Sequence, residues 1–276
     1  MPPLIKSGLG TDNHPEMGLA KDLRLAVLID ADNIPYSNIQ GMLEEMAKYG
    51  TPTFKRIYAD WTKPTVSGWK SVLLEHAITP IHQYSYTTGK NATDSAMIID
   101  AMDILYSGRV DGFCIVSSDS DFTRLATRLR EAGMKVFGFG EKKTPTAFIS
   151  ACDKFIYIEI LAKDKMMEEE VAAVTKTKPR AVGSQADADG KQPISPVTRN
   201  LVKLISDSIN DLADESGWTF LGDLGNLLLK KQPNFDARNY GFNKLVLLLK
   251  SMKQFEVEKR DTGKGNVKNF YVRTKG

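Results

Sequence analysis

The chain of 276 residues is 42% hydrophobic and 26% charged, which is enough apolar material for one large or two modest cores. Its net charge is +3, but residues 196–276 contain 14 Lys and Arg against 9 Asp and Glu, so positive charge is concentrated at the C-terminal end. No apolar run is long enough to cross a bilayer and the two cysteines lack paired spacing, which excludes a membrane-spanning protein and a zinc or disulfide scaffold and favours a reduced, cytoplasmic protein.

The first predicted strand follows residues 1–21, whose Pro, Gly and Asn content indicates a flexible tail without a signal-peptide pattern. From Leu25 to Ile29 the side chains are apolar with no polar alternation, which is typical of a strand buried on both faces of a parallel sheet. This run ends abruptly in Asp30, Asp32 and Asn33. Ligands of open α/β sheets bind at such strand ends.

Helical and strand patterns then alternate along the chain. This alternation predicts an α/β fold in which helices cover both faces of a mostly parallel sheet. The predicted helices lie at 35–49, 69–77, 92–106 and 121–132, and the predicted strands at 53–59, 78–84, 113–116 and 134–139.

The composition changes after residue 162. Residues 163–195 contain charged residues, Thr, Gly and Pro with few large apolar side chains, which predicts a linker between an N-terminal domain at 22–162 and a C-terminal domain at 196–276. The second domain has helical patterns at 197–212, 221–231 and 242–254, an extended stretch at 218–220, and alternating strands at 255–259 and 267–272. Three helices and a hairpin predict a small α+β winged-helix domain.

Four acidic residues are expected to converge at one edge of the sheet. Asp30 ends the first strand, Asp119 and Asp121 follow the strand at 113–116, and Asp94 lies in the first turn of the helix at 92–106. Crowded carboxylates repel one another, and a hard divalent ion such as Mg²⁺ or Mn²⁺ removes that cost. For each Asp alone, an equally good interpretation is that it caps a turn or a helix.

Other polar residues near these strand ends leave two interpretations open. Ser117 and Ser118 could bind a phosphate or form hydrogen bonds within the turn, and Lys90 could meet a phosphate or remain in solvent. Asp100 and Asp103 lie further along their helix and are expected to face solvent. The three histidines are scattered, and the sequence contains no nucleophilic triad and no P-loop.

Three ordered motifs within residues 22–160 resemble the NYN domain of LabA-like proteins, which are PIN-like, metal-dependent ribonucleases with a Rossmann-like sheet. The motifs are LIDADNI at 28–34, GKNATD at 89–94 and VSSDSDF at 116–122. The resemblance implies that Asp30, Asp94, Asp119 and Asp121 form the catalytic and metal-binding set, with Mg²⁺ or Mn²⁺ as cofactor. It also places Asn33 at the substrate, whereas Asp32 is outside the family's acidic core.

The C-terminal segment resembles a LOTUS domain, also called OST-HTH. The matching stretches are LGDLGNLL at 221–228, PNF at 233–235 and YGFNKL at 240–245. This resemblance implies RNA as a partner, or alternatively a protein partner, since such domains are associated with both. The predicted RNA-contacting cations are Lys230, Lys231 and Lys244. They belong to a basic set with Arg238 and Lys250 that suggests nucleic acid, although such a set is more often a solvated face.

The sequence therefore predicts a Mg²⁺- or Mn²⁺-dependent ribonuclease whose C-terminal domain recruits RNA. Two alternatives remain open. One is an RNA-binding adaptor in which the acidic pocket does not catalyse. The other is a haloacid-dehalogenase-like phosphatase with Asp30 as nucleophile and Asp32 as acid, which is disfavoured because Pro35 opens a helix where that fold inserts a flap.

Overall fold

A six-stranded parallel sheet forms the centre of the N-terminal domain. The computed structural model describes residues 22–84, 92–161, 193–261 and 268–275. The strands of this sheet are β1 (Arg24–Asp30), β2 (Thr51–Ala59), β3 (Thr79–His82), β4 (Gly112–Val116), β5 (Lys135–Gly140) and β6 (Lys154–Tyr157). They lie in the order β3-β2-β1-β4-β5-β6, and every neighbouring pair is parallel.

Helices pack on both faces of this sheet. They are α1 (Ile39–Met46), α2 (Trp69–Glu75), α3 (Ala92–Tyr106), α4 (Thr123–Glu131) and α5 (Thr146–Ala151). One apolar cluster joins α1 and α2 to Leu25, Val27 and Ile29 of β1, and the other joins α3, α4 and α5 to Ala26 and Leu28. Burial stabilises each large aliphatic side chain by about 1.5–3 kcal/mol. The predicted α/β fold, with helices on both faces of a parallel sheet, is confirmed.

The strand order reverses between β1 and β4. From β1 the chain builds outward to β2 and β3, then crosses over and builds β4, β5 and β6 on the other side. Ile29 pairs with Val116, so the carboxyl ends of β1 and β4 lie side by side. In open parallel sheets this switch point forms a crevice that binds ligands.

The C-terminal domain combines helices with a small antiparallel sheet. Its elements are α6 (Arg199–Leu212), β7 (Thr219–Phe220), α7 (Leu221–Lys231), α8 (Leu245–Ser251), β8 (Phe255–Asp261) and β9 (Lys268–Thr274). The strands lie in the order β7-β9-β8. Ile205, Leu224, Leu248 and Val272 are fully buried between the helices and this sheet. The predicted small α+β domain is confirmed.

Two local predictions differ from the structure. The helix predicted at 242–254 begins only at Leu245, because the chain before it forms a 3-10 helix at Ala237–Tyr240 that ends at Gly241 with φ 87°. Glycine adopts this backbone conformation without steric cost. Asp100 was expected to face solvent, but it forms an ion pair with Arg56 and accepts a hydrogen bond from the Tyr58 hydroxyl.

No helix in the described part of the chain is long and apolar enough to cross a membrane.

The C-terminal domain docks on the outer edge of the parallel sheet. The backbone N–H of Phe155, in edge strand β6, donates to the Pro233 carbonyl at 2.9 Å. The Asn234 amide donates to the Tyr157 hydroxyl at 2.8 Å. An exposed edge strand is prone to pair with another chain. The loop that follows α7 covers this edge.

A buried ion pair joins the two domains beside that edge. Arg238 of the C-terminal domain donates to both carboxylate oxygens of Glu45 at 2.9 and 2.8 Å, and also binds Asp236 at 2.7 Å. The Glu45 side chain is only 3% exposed. Burial acts to raise the pKa of Glu45, but hydrogen bonds from Arg238, Lys48 and Tyr49 outweigh it and hold the pKa at about 2. Arg238, a member of the basic set that suggested nucleic acid, is therefore a docking residue.

We expect Arg238→Ala to release the C-terminal domain from the sheet edge. The variant leaves Glu45 charged, buried and without its arginine, which costs about 3–5 kcal/mol when a buried pair is broken in this way. A protease site inserted between residues 163 and 192 allows the two halves to be separated after cutting. In size-exclusion chromatography the cut wild type should elute as one species and cut Arg238→Ala as two.

Arg24→Ala provides the matched control for this experiment. Arg24 also forms a bidentate pair, with Asp111, but that pair lies within the N-terminal domain and its arginine is 42% exposed. Its cut halves should stay together. Halves that remain associated in Arg238→Ala would show that the ion pair does not maintain docking.

Candidate metal centre

Asp30 ends β1 and lies almost completely inside the protein. Its side chain accepts hydrogen bonds from the Ser117 hydroxyl at 2.8 Å, the Asn33 amide at 2.6 Å and the Asp32 backbone N–H at 3.1 Å. Asp30 is 1% exposed and Ser117 is fully buried. Burial raises the pKa of Asp30, and these hydrogen bonds oppose the increase. The contact with Ser117 connects the end of β1 to the end of β4.

The turn after β4 is fixed by hydrogen bonds of its own side chains. Asp119 is the N-cap of the following 3-10 helix, and its Oδ1 accepts from the Asp121 N–H at 2.9 Å. The Asp119 N–H donates to the Ser117 hydroxyl at 3.1 Å, and the Glu141 N–H donates to the Ser118 hydroxyl at 2.9 Å. The capping interpretation of Asp119 is thus confirmed. Capping also fixes the direction of its carboxylate.

Three carboxylates meet at this edge of the sheet. Asp94, Asp119 and Asp121 each offer an oxygen, and these oxygens lie within 4.8 Å of one another. Asp94 comes from the first turn of α3, whereas the other two come from the turn between β4 and α4. Asp94 and Asp119 are partly buried and Asp121 is exposed, so the group is open to solvent on one side.

The mutual repulsion of these acids is visible in the pKa of Asp94. Burial is the largest cause of its increase, and together with the charges of Asp30, Asp119, Asp121 and Asp32 it raises this pKa to about 6. A divalent cation at the cluster would neutralise this repulsion. Carboxylate oxygens on an open, solvated edge are the ligands that Mg²⁺ and Mn²⁺ prefer. The donor set therefore fits such an ion.

Asp30 differs from the other three predicted metal ligands. It lies close enough to raise the pKa of Asp94, but it is outside the group whose oxygens approach one another within 4.8 Å. Both of its oxygens accept hydrogen bonds from Asn33, Ser117 or Asp32. In this structure Asp30 stabilises the turn that carries the acidic cluster, because it accepts a hydrogen bond from Ser117, which in turn accepts one from the Asp119 N–H.

Family models match both parts of the chain. Residues 24–159 match the NYN domain, and residues 192–267 match the OST-HTH/LOTUS domain. The chain contains an NYN domain followed by an OST-HTH/LOTUS domain. The predicted resemblance is confirmed for both, in the predicted order. This combination of domains supports a role in RNA cleavage or RNA binding.

Solved structures add little to this assignment. A protein of unknown function from Vibrio parahaemolyticus is 20% identical, with a TM-score of 0.43 over 51% of this chain and 96% of its own. An uncharacterized protein from Nitrosomonas europaea is 30% identical, with a TM-score of 0.25 over 36% of this chain and 89% of its own. Curated protein sequences give no significant match.

The remaining predicted site residues of the NYN domain occupy different environments. Asn33 is partly exposed and donates to Asp30. Ser117 is fully buried and Ser118 is 8% exposed, and both hydroxyls form hydrogen bonds within the protein. The two serines therefore support the turn, which is one of the two roles that the sequence leaves open for them. Lys90 lies outside the described residues.

The predicted RNA-contacting lysines of the OST-HTH domain are divided between two locations. Lys230 and Lys231, in the last turn of α7, line a groove of about 330 Å³ at the domain junction together with Arg130. Lys231 also binds Asp211 at 2.6 Å. Lys244 is exposed at the N-cap of α8. Arg130 is in the last turn of α4, so the groove lies at the end of α4 away from the carboxylates.

A cleft that the sequence did not predict lies next to Asn33. This cleft of about 670 Å³ is lined by the exposed side chains of Tyr36, Lys63 and Thr65. The available signal was Tyr36, an aromatic residue three positions after Asn33. Lys63 and Thr65 follow β2, and only the sheet order brings them to the end of β1.

Proposed function

We propose that this protein is a Mg²⁺- or Mn²⁺-dependent ribonuclease that hydrolyses phosphodiester bonds at the acidic cluster. The observation that carries the proposal is the meeting of Asp94, Asp119 and Asp121 at the switch point of an NYN domain. The raised pKa of Asp94 supports a cation as the natural partner of this cluster. The adjoining OST-HTH domain supports RNA as the substrate.

The residues at the acidic cluster and at the end of β1 have two different roles in the proposed reaction. Asp94, Asp119 and Asp121 would hold the ion. When bound, a divalent ion supplies positive charge that stabilises the negative charge developing on a phosphoryl group. Asp30 holds the turn after β4 through Ser117, and Asn33 orients the Asp30 carboxylate. Asp30 and Asn33 therefore act as positioning residues, and the phosphate contact predicted for Lys90 stays a prediction.

A phosphatase of the haloacid-dehalogenase type is less compatible with this arrangement. That mechanism needs the first aspartate of the strand end as an accessible nucleophile. Asp30 is 1% exposed, and its oxygens accept hydrogen bonds from Asn33, Ser117 and the Asp32 backbone. An RNA-binding adaptor with an inactive acidic pocket remains the second candidate, because the OST-HTH domain supports RNA binding by itself.

We expect Asp119→Asn to reduce RNA cleavage by about a hundredfold to a thousandfold. A bound divalent ion stabilises the transition state by several kcal/mol, and losing one of its ligands removes much of that stabilisation. Asparagine is also a good N-cap and keeps an acceptor for the Asp121 N–H, so the fold should be unchanged. The measurement is cleavage of labelled single-stranded and structured RNA with Mn²⁺, Mg²⁺ or EDTA.

The control for this variant is Asp103→Asn, which removes an exposed carboxylate from α3. It should cleave like the wild type. Wild-type rates in Asp119→Asn would remove Asp119 from the mechanism. RNA that is bound but never cleaved by the wild type in any ion would favour the adaptor.

The proposed recruitment of RNA by the OST-HTH domain has a separate test. We expect Lys230→Glu combined with Lys244→Glu to weaken RNA binding and to reduce its salt dependence, because fewer counterions are released when phosphate contacts are lost. The exposed Lys203 on α6 supplies the control, Lys203→Glu. Affinity is measured in the Asp119→Asn background at two salt concentrations.

Cleavage of saturating RNA should survive in the lysine variants, since both residues lie outside the acidic cluster. Unchanged affinity and an unchanged salt slope would indicate that these lysines do not contact RNA. The OST-HTH domain would then serve a protein partner, the other role associated with this family.

A further inference from the structure

The cleft next to Asn33 has an apolar floor and a polar rim. It is continuous with the loop after β1, because Asp32 and Asn33 belong to its lining while Asn33 also contacts Asp30. The floor consists of side chains that are at most 4% exposed, namely Ile34, Val66 and Trp69. The rim consists of exposed side chains, namely Asp32, Tyr36, Lys63 and Thr65. A flat ligand with polar edges suits these surroundings.

The ring of Tyr36 lies against a glycine, Gly68, in this cleft. Tyr36 opens a 3-10 helix at Tyr36–Asn38 directly after Pro35, and it is 48% exposed despite its large ring. The ring packs against Gly68, just before α2, so closely that a β-carbon on residue 68 would lie 2.4 Å from Tyr36 Cε1. Gly68 has an ordinary helical backbone, with φ −63° and ψ −24°. The absence of a side chain there therefore makes room for the Tyr36 ring.

We propose that this cleft binds the nucleobase of the nucleotide next to the phosphate held at the acidic cluster, with the base stacked on Tyr36. Every base has an aromatic face, and stacking on an exposed tyrosine favours single-stranded RNA. Lys63 adds a cation for the backbone, and Asp32 offers an acceptor for base amino groups. This inference rests on the proposed nuclease function, since it assigns a substrate site to the same acidic centre.

Two hydrogen bonds connect the lining of the cleft to residues around the acidic cluster. Asn33 and Tyr36 are three residues apart, and the Asn33 amide donates a hydrogen bond to Asp30 at 2.6 Å. Glu141 lines the other side of the cleft, and its N–H donates to Ser118 in the turn that carries Asp119. Two residues that line the cleft are thus hydrogen-bonded to Asp30 and Ser118, which support the turn that carries the acidic cluster. These two links support the proposal that the cleft and the cluster bind neighbouring nucleotides of one RNA strand.

Two variants perturb the stacking surface by different routes. Tyr36→Ala removes the ring, and Gly68→Ala is tolerated by the backbone but displaces the ring from its position. Each should lower kcat/KM for a short single-stranded RNA by about tenfold to a hundredfold, mainly through KM, as expected for the loss of one base–aromatic stack. Tyr36→Phe keeps the ring and should lose much less activity than Tyr36→Ala.

The matched control is Tyr106→Ala. Tyr106 is 73% exposed at the end of α3 remote from Asp94, so its loss should leave cleavage unchanged. A substrate with an abasic ribose beside the cleaved bond provides the complementary deletion. If Tyr36 stacks on that base, Tyr36→Ala should have almost no further effect on the abasic substrate. Wild-type kcat/KM in Tyr36→Ala on normal RNA would overturn the proposal.

A binding measurement separates this proposal from the nuclease function. The protein is labelled with 3-fluorotyrosine, and the Tyr36 fluorine resonance is assigned from its loss in Tyr36→Phe. The four nucleoside 5′-monophosphates should shift this resonance, and ribose 5-phosphate should not. No shift with any nucleotide would overturn the proposal even if the protein cleaves RNA. A base-dependent shift without RNA cleavage would support the cleft while rejecting the nuclease.

Discussion

The parallel pairing of β1 with β4 determines where the acidic side chains meet. Because Ile29 pairs with Val116, the next residues of both strands emerge at the same edge, and the Ser117 hydroxyl reaches Asp30 at 2.8 Å. That buried hydrogen bond connects the loop after β1 to the turn after β4. The turn presents Asp119 and Asp121, and the start of α3 adds Asp94. The cluster thus depends on a contact that no solvent reaches.

Burial raises the pKa of two acids in this protein, but the net shifts of their pKa values have opposite directions. At Glu45, hydrogen bonds from Arg238 and its neighbours outweigh desolvation, and the pKa is lowered to about 2. At Asp94, desolvation and other carboxylates act together, and the pKa is raised to about 6. The first acid has its cation supplied by the C-terminal domain. The second has an environment that favours a cation from solution, and this contrast supports a docking role for one and a metal-binding role for the other.

The sequence predicted features that depend on local pattern. The apolar run from Leu25 to Ile29 and the acids at strand ends were enough to predict a parallel sheet with Asp94, Asp119 and Asp121 at one edge. Contacts between distant residues are not predictable in this way, and the docking role of Arg238 is one example, because its partner Glu45 is 193 residues away. The two roles left open for Ser117 could not be separated for the same reason, since a serine after a strand has the same local pattern whether it faces ligand or protein. The position of the Tyr36 ring could also not be predicted without the fold, because Gly68, against which the ring packs, comes from the next βα connection.

The most direct measurement of the central claim is the titration of the Asp94 carboxyl carbon by NMR, with and without Mg²⁺. Without a divalent ion, Asp94 should titrate near pH 6. Saturating Mg²⁺ should lower its pKa to or below the ordinary value of 3.8, because a cation at the cluster favours the ionised carboxylate. Asp119→Asn should weaken that response. An Asp94 titration that remains near pH 6 in saturating Mg²⁺ would contradict a metal site formed by Asp94, Asp119 and Asp121.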